Sequence, residues 1–528
     1  MILKYFKEEN MTRKILSVTA IIMALCLLLA ACSNNVNGET EMQSTMITET
    51  ETSTYELTEV NSEDFMESNT QSNTESDTEA ETEAPDSLSS PVSSDVGIPA
   101  TPGATIDLSK YSVLVNGEVV PGNQVTWTVG CRELFLFMVG GRYVQAPATP
   151  GAYAIWAMHN NKRVATVLLV VPDTDGNYSA PVTELNATAE IDLSAYGAKA
   201  AADGSSVPEY WEWALNVVTY NAKENEKKVS DSKNMSSFLF VTDMHWEGNA
   251  GNTVKVANYL RSEIGFENLY FGGDYMNGNN DLSIATRTAA SWLATMETYK
   301  GKWYAVRGNH DQNASWRPLS LDHVWTDAEY YQNILKYADN PDTSEDKLYS
   351  YIDDTDAKIR YYFLADYSHG LTKYTDVDTS TKPGVNAVSY EEQLAWMQET
   401  ANDLEEGWGI VVVEHRMFNN PDANGNNVLT EFAKALIPVL NEIDKTNEVI
   451  AVLSGHTHFE ATHLTEGGYY IIAIPHDGDP GTVNNYYTER LIPGTNTEQR
   501  MEYIQIDREN KKIYLTRIGT GVNREFDY

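Results

Sequence analysis

From Ser236 onward, short apolar runs alternate with helical stretches, and this alternation restricts the possible folds more than any other feature. Runs with the length and composition of strands predict strands at 238–242, 269–271, 303–306, 361–364, 410–413, 449–453 and 469–474. Apolar residues at helical spacing predict helices at 253–264, 284–299, 390–404 and 429–443. This order predicts an α/β domain with strands buried on both faces.

Histidine, aspartate and asparagine residues stand directly behind or beside five of these predicted strands. The five blocks are Asp243-Met-His245, Gly273-Asp274, Gly308-Asn309-His310-Asp311, His415 and Gly455-His456-Thr-His458. The carboxyl ends of strands border the ligand-binding crevice of open α/β sheets. We therefore expect all five blocks to meet at one edge of the sheet.

The donor atoms in these blocks are imidazole, carboxylate and amide groups without a thiolate, a set that suits Mn, Fe, Zn or Mg. A bridging carboxylate, for which Asp274 is the candidate, holds two ions about 3.5–4 Å apart. The sequence thus predicts a site for two divalent metal ions. Taken singly, the residues also have structural interpretations, such as a helix cap for Asp243 and a turn for Asn309.

In this order, the blocks resemble the calcineurin-like metallophosphoesterase superfamily, and residues 504–507 and 517–521 are similar to the tail of its secreted bacterial members. The resemblance covers residues 236–476. It implies a four-layer α/β/β/α sandwich and a metal-dependent phosphoester hydrolase, either a phosphatase or a phosphodiesterase. It implies one metal ion on Asp243, His245, Asp274 and His458, and the other on Asp274, Asn309, His415 and His456.

The same resemblance implies that a hydroxide held between the two ions attacks phosphorus in line. It gives His310 the stabilisation of developing charge and the protonation of the leaving oxygen, and it gives Asp311 the orientation of that imidazole. One departure narrows the substrate class. Protein phosphatases of the superfamily carry Gly-Asp-x-x-Asp-Arg-Gly, but here Asn277 replaces the second Asp and the Arg is absent. We therefore expect small-molecule or polymer phosphoesters as substrates.

The N-terminal part predicts export and membrane anchoring. Residues 1–31 contain a charged segment, an apolar run and small residues before Cys32, which resembles a bacterial lipoprotein signal peptide cleaved before a lipidated cysteine. Residues 32–97 are rich in Ser, Thr and Glu and predict a disordered acidic tether. The predicted location is extracytoplasmic, with Cys32 anchored in the bacterial cell membrane. An uncleaved transmembrane helix is the alternative.

Three regions follow this tether. Residues 98–175 contain β-rich runs punctuated by Gly and Pro, which predict a small all-β sandwich-like domain. Its predicted role is either a spacer or contact with carbohydrate or the cell wall. Residues 176–235 form a connector with a helix at 208–223, and residues 236–528 form the metallophosphoesterase domain. The insertion 312–358 carries Trp316, Arg317, Trp325, Tyr330 and Tyr331, which predict either a substrate wall or a local core.

Charge and cysteine content exclude several classes of protein. The net charge of −39 argues against binding of nucleic-acid duplexes, which need clustered cations. Cys26, Cys32 and Cys131 are too few for a disulfide framework or a cysteine-based zinc site. The alternative to an enzyme is a surface-binding lipoprotein with a structural metal site and a β-sandwich adhesion module.

Overall fold

The computed structural model describes residues 91–134, 138–160, 162–184, 186, 188–197, 206–245, 250–313, 320–365, 383–384, 390–419, 426–477 and 491–528. All of them belong to the compact unit Thr82–Tyr528. The predicted signal peptide, Cys32 and residues 32–90 of the predicted tether lie outside the described residues. Among the described helices, none combines the length and apolar character that a membrane crossing requires.

A β-rich region precedes the α/β domain. Its strands are β1 Ile98–Pro99, β2 Thr105–Asp107, β3 Ser112–Val115, β4 Glu118–Pro121, β5 Thr126–Val129, β6 Met138–Val139, β7 Tyr143–Gln145, β8 Gly151–His159, β9 Lys162–Val171 and β10 Glu190–Ile191. They form the sheets β1-β9-β8-β5 and β10-β2-β7-β6 and the hairpin β3-β4. Trp127, Ile106 and Val167 belong to one buried core in this region.

Two predictions for this region are wrong. Residues 91–97, assigned to the tether, belong to the β-rich region, because Val92 is buried and its N–H donates to the Ser112 carbonyl. The β-rich runs include residues 133–139, for which the sequence predicts a strand. Arg132–Leu134 instead form a 3₁₀ turn, residues 135–137 lie outside the described residues, and only Met138–Val139 form a strand.

The α/β domain contains fourteen described strands: β11 Met235–Val241, β12 Asn268–Phe271, β13 Lys302–Ala305, β14 Ser350–Asp354, β15 Ile359–Phe363, β16 Gly409–Val413, β17 Phe418–Asn419, β18 Val428–Leu429, β19 Glu448–Ser454, β20 Ala461–Leu464, β21 Tyr470–Ala473, β22 Arg500–Asp507, β23 Lys512–Gly519 and β24 Arg524–Asp527. Sheet I has the order β13-β12-β11-β22-β23-β24, and sheet II has the order β14-β15-β16-β19-β21-β20. The strands β11, β12 and β13 pair in parallel, as do β15, β16, β19 and β21.

The described helices are α1 Glu209–Glu226, α2 Ala250–Ile264, α3 Leu282–Met296, α4 Asp327–Asn333, α5 Tyr390–Asn402 and α6 Glu431–Ile443. Helix α1, predicted at 208–223, packs against β22, β23 and α2. Its Asn221 donates to the Thr516 hydroxyl and accepts a hydrogen bond from Tyr143 of the β-rich region. Helix α1 therefore connects the two parts of the compact unit.

Side chains along the central strands point alternately to the two faces of each sheet, and this alternation explains how sheets and helices form layers. In β11, Phe238 and Phe240 belong to one buried cluster together with Val411 and Val413 of β16. Leu239 belongs to a second cluster, together with residues of α1, α2, α5 and α6. Successive strand residues point to opposite faces, so each sheet offers one face to the other sheet and one to helices. This arrangement confirms the predicted fold class and is compatible with the four-layer α/β/β/α order.

Candidate metal centre

The predicted site residues follow strand ends of both sheets. Sheet I supplies Asp243 and His245 after β11, Asp274 after β12, and Asn309, His310 and Asp311 after β13. Sheet II supplies His415 after β16, and His456 and His458 after β19. The prediction that all five blocks meet at the edge of one sheet is therefore wrong. The site forms where the strand ends of two sheets meet. The structure nevertheless brings all the predicted ligands together.

One carboxylate oxygen of each aspartate is aimed into this centre. Oδ2 of Asp243 accepts hydrogen bonds from the Thr242 hydroxyl and the His456 N–H. Oδ1 of Asp274 accepts from the His310 N–H. Their other oxygens, Oδ1 of Asp243 and Oδ2 of Asp274, are buried without a hydrogen-bond partner among the described residues. Buried oxygens of this kind are unfavourable unless a cation or a donor reaches them.

Imidazole nitrogens surround these two oxygens. Nε2 of His458 lies 3.3 Å from Asp243 Oδ1, and Nε2 of His245 lies 3.8 Å from the same atom. Nε2 of His415 lies 3.1 Å from Asp274 Oδ2. Ligand atoms of Asp243, His245 and His458 form one group within 4.8 Å, and those of Asp274, His415 and His456 form another. Each of these groups contains three of the four residues of one predicted ligand set, and a third group consists of His245, Asp274 and His310.

The position of the proton on the His415 ring indicates whether a cation fits between the ligand atoms of this centre. Its Nδ1 lies 2.7 Å from the Gly272 carbonyl oxygen, which can only accept, so Nδ1 carries a proton. In the neutral ring, Nε2 then presents a lone pair to Asp274 Oδ2 at 3.1 Å and to Asn309 Oδ1 at 3.2 Å. Three lone pairs directed at one point repel each other, and a cation removes that repulsion. The donor set therefore fits a bound metal ion.

Local electrostatics favour the protonation states that metal binding requires. Burial alone would raise the pKa of Asp243, but positive charge on the His415 and His458 rings outweighs it and holds this pKa below its usual range. A metal ion would supply that positive charge when both rings are neutral. The pKa of Asp274 is also lowered, because His415 and His310 outweigh its burial. Burial lowers the pKa of His245 and His456 well below the usual value. Ionised carboxylates and neutral imidazoles are the forms that ligate metals.

Backbone conformation is unusual at five of the seven predicted ligands. Positive φ angles occur at Asp243 (53°), His245 (42°), Asp274 (56°), His456 (69°) and His458 (62°). Non-glycine residues in this region cost about 1–3 kcal/mol each and persist where the surroundings enforce them. Such a concentration at one place marks the strand ends as a functional site.

Two glycines of the motifs are required because the backbone lies very close to a carboxylate at each of them. A Cβ at Gly308 would stand 2.2 Å from Asp274 Oδ1, and one at Gly455 would stand 2.3 Å from Asp243 Oδ2. Each glycine therefore allows the backbone of a neighbouring loop to contact a carboxylate. This contact explains why glycine precedes Asn309 and His456 in the sequence.

His310 is oriented by a group that differs from the predicted one. Its Nδ1 lies 2.6 Å from the backbone carbonyl oxygen of Asn277, so this nitrogen donates and carries a proton. Its Nε2 lies 3.9 Å from Asp274 Oδ2. Position 277 therefore contacts the imidazole through its main chain, which a change from Asp to Asn leaves intact.

Asp311 does not serve the orienting role expected for it. It is fully buried, and its carboxylate accepts the N–H groups of Gly308, Asp274 and Tyr275 at 2.7, 2.9 and 2.9 Å. Burial and the Asp274 carboxylate raise its pKa to about 7, although the backbone amides of Gly308 and Asp274 act in the opposite direction. Asp311 thus ties together the loops that carry Asp274 and Asn309.

His476 is a site residue that the motifs did not identify. It is buried, and its ring stacks on that of His458 with centroids 5.0 Å apart. Its Nδ1 lies 3.1 Å from the His458 carbonyl oxygen. The only sequence signal was its position directly after a strand, at the end where the other site residues stand.

The aromatic insertion is in part a local core. Trp325 and Tyr330 are fully buried in the main cluster, and Tyr331 packs against that cluster. The interpretation of these three residues as a substrate wall is therefore wrong. Trp316 and Arg317 lie outside the described residues.

Comparisons with known proteins agree with this domain assignment. Residues 236–460 match the family model described as calcineurin-like phosphoesterase. The matched residues lie within 236–528, the segment predicted as the metallophosphoesterase domain. No curated protein matches the chain significantly.

Three solved structures of different origin are among those that match the chain. A dimetal phosphatase from Danio rerio is 11% identical, with a TM-score of 0.40, and the match covers 55% of this chain and 98% of that one. A phosphopantetheinyl hydrolase from Mycobacterium tuberculosis is 15% identical, with a TM-score of 0.28 and coverage of 46% and 89%. A 5'-nucleotidase from Candida albicans is 14% identical, with a TM-score of 0.28 and coverage of 52% and 52%.

Proposed function

We propose that this chain is a dimetal phosphoester hydrolase that acts outside the cytoplasm on small-molecule or polymer phosphoesters. The observation that carries the proposal is the pair of buried, unpartnered oxygens of Asp243 and Asp274, each surrounded by imidazole Nε2 atoms. The match of residues 236–460 to the phosphoesterase family model supports the reaction class.

The predicted ligands would hold two divalent cations in adjacent positions. Asp243, His245 and His458 would hold one, Asn309, His415 and His456 would hold the other, and Asp274 would contact both. When bound, the cations would polarise the phosphoryl group and generate the nucleophile from water. Since only Asp243 and Asp274 contribute negative charge among these ligands, the loaded site would be cationic and would attract a phosphoester anion.

His310 is placed to assist the leaving group. The Asn277 carbonyl keeps a proton on Nδ1 and fixes the ring, so Nε2 is the atom that exchanges protons with substrate. Its side chain is 16% exposed, whereas those of Asp274 and His415 are essentially inaccessible. A protonated Nε2 would donate its proton to the departing oxygen, which is general acid catalysis.

The substrate class follows from Asn277 and Gly278, which stand where the protein phosphatases of the superfamily have Asp and Arg. With Asn277 in place of the second aspartate and without that arginine, the chain departs from the protein-phosphatase pattern. The extracytoplasmic location follows from the lipoprotein-like residues 1–31 and from Cys32. Cys32→Ala should move the protein from the membrane fraction to the soluble fraction, and retention in the membrane would contradict lipid anchoring.

Hydrolysis of p-nitrophenyl phosphate and of bis(p-nitrophenyl) phosphate by the full chain tests the reaction. We expect turnover of one or both esters with Mn²⁺, loss of turnover with chelator, and recovery when Mn²⁺ is restored. Asp274→Asn should abolish turnover. Asp356→Asn is the matched control, because that carboxylate is 68% exposed and pairs only with Lys233 at the surface. Full activity of Asp274→Asn, or no hydrolysis of any phosphoester, would favour the surface-binding alternative.

A further inference from the structure

A second cavity lies away from the metal centre, where the β-rich region meets the α/β domain. It has a volume of about 580 Å³, and none of the predicted metal ligands lines it. Its walls come from three parts of the chain: turns 122–126 and 140–142, helix α1, and the C-terminal strands β23 and β24. A volume of this size accommodates a small-molecule ligand, and interfaces between folded parts are common binding sites.

The cavity is cationic although the whole chain is strongly acidic. Three cationic side chains line it, Arg142, Lys228 and Arg524, with one carboxylate, Glu525. Glu525 is neutralised by the ammonium group of Lys512 at 2.6 Å. In the part of the chain that the structure describes, no carboxylate lies within ion-pairing distance of Lys228. Arg142 is paired with Asp107, and Arg524 is paired with Glu502. The positive charge that remains available for a ligand is therefore that of Lys228.

Two of these cations are incompletely satisfied. Nη2 of Arg524 donates to Glu502, and Nη1 lies 3.9 Å from Glu460 Oε2, beyond hydrogen-bond distance. Nε and Nη1 are buried with no hydrogen-bond partner among the described residues. The ammonium group of Lys228 lies 4.1 Å from the centroid of the Tyr514 ring. Burial, Arg142 and Lys512 together lower the pKa of Lys228. A bound anion would relieve these unfavourable features.

The remaining lining groups suit hydroxyls. Amide side chains of Asn123, Gln124, Asn225 and Asn523 line the cavity, together with the hydroxyls of Ser109, Thr126 and Thr516. An amide both donates and accepts, which matches the paired donor and acceptor character of a sugar hydroxyl. We propose that this cavity binds an acidic sugar unit, a polyol of hexose size that carries one anionic group held by Lys228 and Arg524.

The test is calorimetric titration of the full chain with D-glucuronate, and with D-glucose and inorganic phosphate as separate probes. Glucuronate should bind more tightly than either probe, since only glucuronate offers both the charge and the hydroxyls. Lys228→Gln should weaken glucuronate binding by about tenfold, the scale of one charge-assisted hydrogen bond. Lys227→Gln is the matched control, because Lys227 is 70% exposed, pairs with Glu224 and does not line the cavity.

A second variant tests the location without removing charge. Gln124 is exposed at the cavity wall, so Gln124→Trp should fill the cavity, leave the fold intact and abolish binding. Anion binding at the metal centre would survive both variants, so this proposal and the hydrolase proposal fail separately. Absence of glucuronate binding, equal binding by Lys228→Gln and Lys227→Gln, or equal affinity for glucuronate and phosphate would overturn the inference.

Discussion

The Nε2 atoms of His245 and His458 lie 3.0 Å apart, although one residue follows a strand of sheet I and the other a strand of sheet II. Two nitrogen ligands about 2.1 Å from one ion, at right angles to each other, are about 3 Å apart. Both residues have positive φ angles, and both face Asp243 Oδ1. The two sheets thus place their strand ends so that one cation can contact side chains of both.

His310→Gln should lower kcat by about 10²–10⁴-fold, the range for loss of a general acid. The loss should be larger for an alkyl phosphate than for p-nitrophenyl phosphate, because p-nitrophenolate leaves without protonation. Metal content, measured by elemental analysis, should stay unchanged, whereas a loss of metal would make His310 a ligand in the third group, with His245 and Asp274. His463→Gln is the control, since His463 lies on β20 and belongs to none of the metal-ligand groups. Equal losses on both esters would exclude the general-acid role.

Asp311→Asn should destabilise the protein by about 1–3 kcal/mol, the cost of leaving buried polar groups unpaired. An asparagine places an NH₂ group against at least one of the backbone N–H groups that the carboxylate now accepts. Urea denaturation measures the change, with the exposed Asp356→Asn as reference. Asp311 positions loops and does not contact the reacting atoms. The ratio of the rates on the alkyl phosphate and on p-nitrophenyl phosphate should therefore not change. A changed ratio would contradict this role.

The sequence predicted the fold class, and it predicted which residues lie together at the candidate site, because both depend on local patterns. Strand-length apolar runs ending in glycine and a ligand residue are visible without tertiary information, as in Leu269–Asp274. The division of the strands into two sheets cannot be predicted from the local sequence. Nothing in the residues of the apolar runs 303–306 and 410–413 indicates which of the two sheets each run joins. Strand β8 is difficult to predict from the sequence, because Ala152, Ala154, Ala157 and Met158 have weak strand propensity.

Contacts through the main chain were also beyond prediction. The orientation of His310 by the Asn277 carbonyl depends on backbone geometry that the side chain at 277 does not report. The role of Asp311 depends on three N–H groups that tertiary structure brings together. No motif indicates His476, because it stands 18 residues beyond His458.

His476 should make stability depend on pH. Burial, followed by the charges of His458 and Arg500, lowers its pKa to about 3, below the value of about 6.5 in the unfolded chain. The unfolded chain then binds more protons, so stability falls as pH drops from about 6.5 to 3. Between pH 7 and 5 this loss is roughly 2 kcal/mol. His476→Phe keeps the stacked ring and should reduce the loss measured by urea denaturation. An equal loss in the variant would contradict the assignment.

The ion pair between Arg307 and Asp327 should hold the loop that carries Asn309 and His310. Nη1 of Arg307 donates to Asp327 Oδ1 at 2.7 Å, and both side chains are buried. Removing one partner of a buried pair costs about 3–5 kcal/mol, so Arg307→Met should destabilise the fold strongly. Lys233→Met, which breaks the exposed pair with Asp356, is the control and should change stability little. Equal effects of the two substitutions on the urea midpoint would refute the anchoring role.

The most direct test of the dimetal site is anomalous diffraction from crystals grown with Mn²⁺. We expect two anomalous peaks about 3.5–4 Å apart, one on each side of Asp274 Oδ2, with His245 and His458 at one peak and His415 and His456 at the other. Crystals of Asp274→Asn should lose at least one peak. Absence of manganese from these positions in the native protein, or full retention of both peaks in Asp274→Asn, would contradict a centre bridged by Asp274.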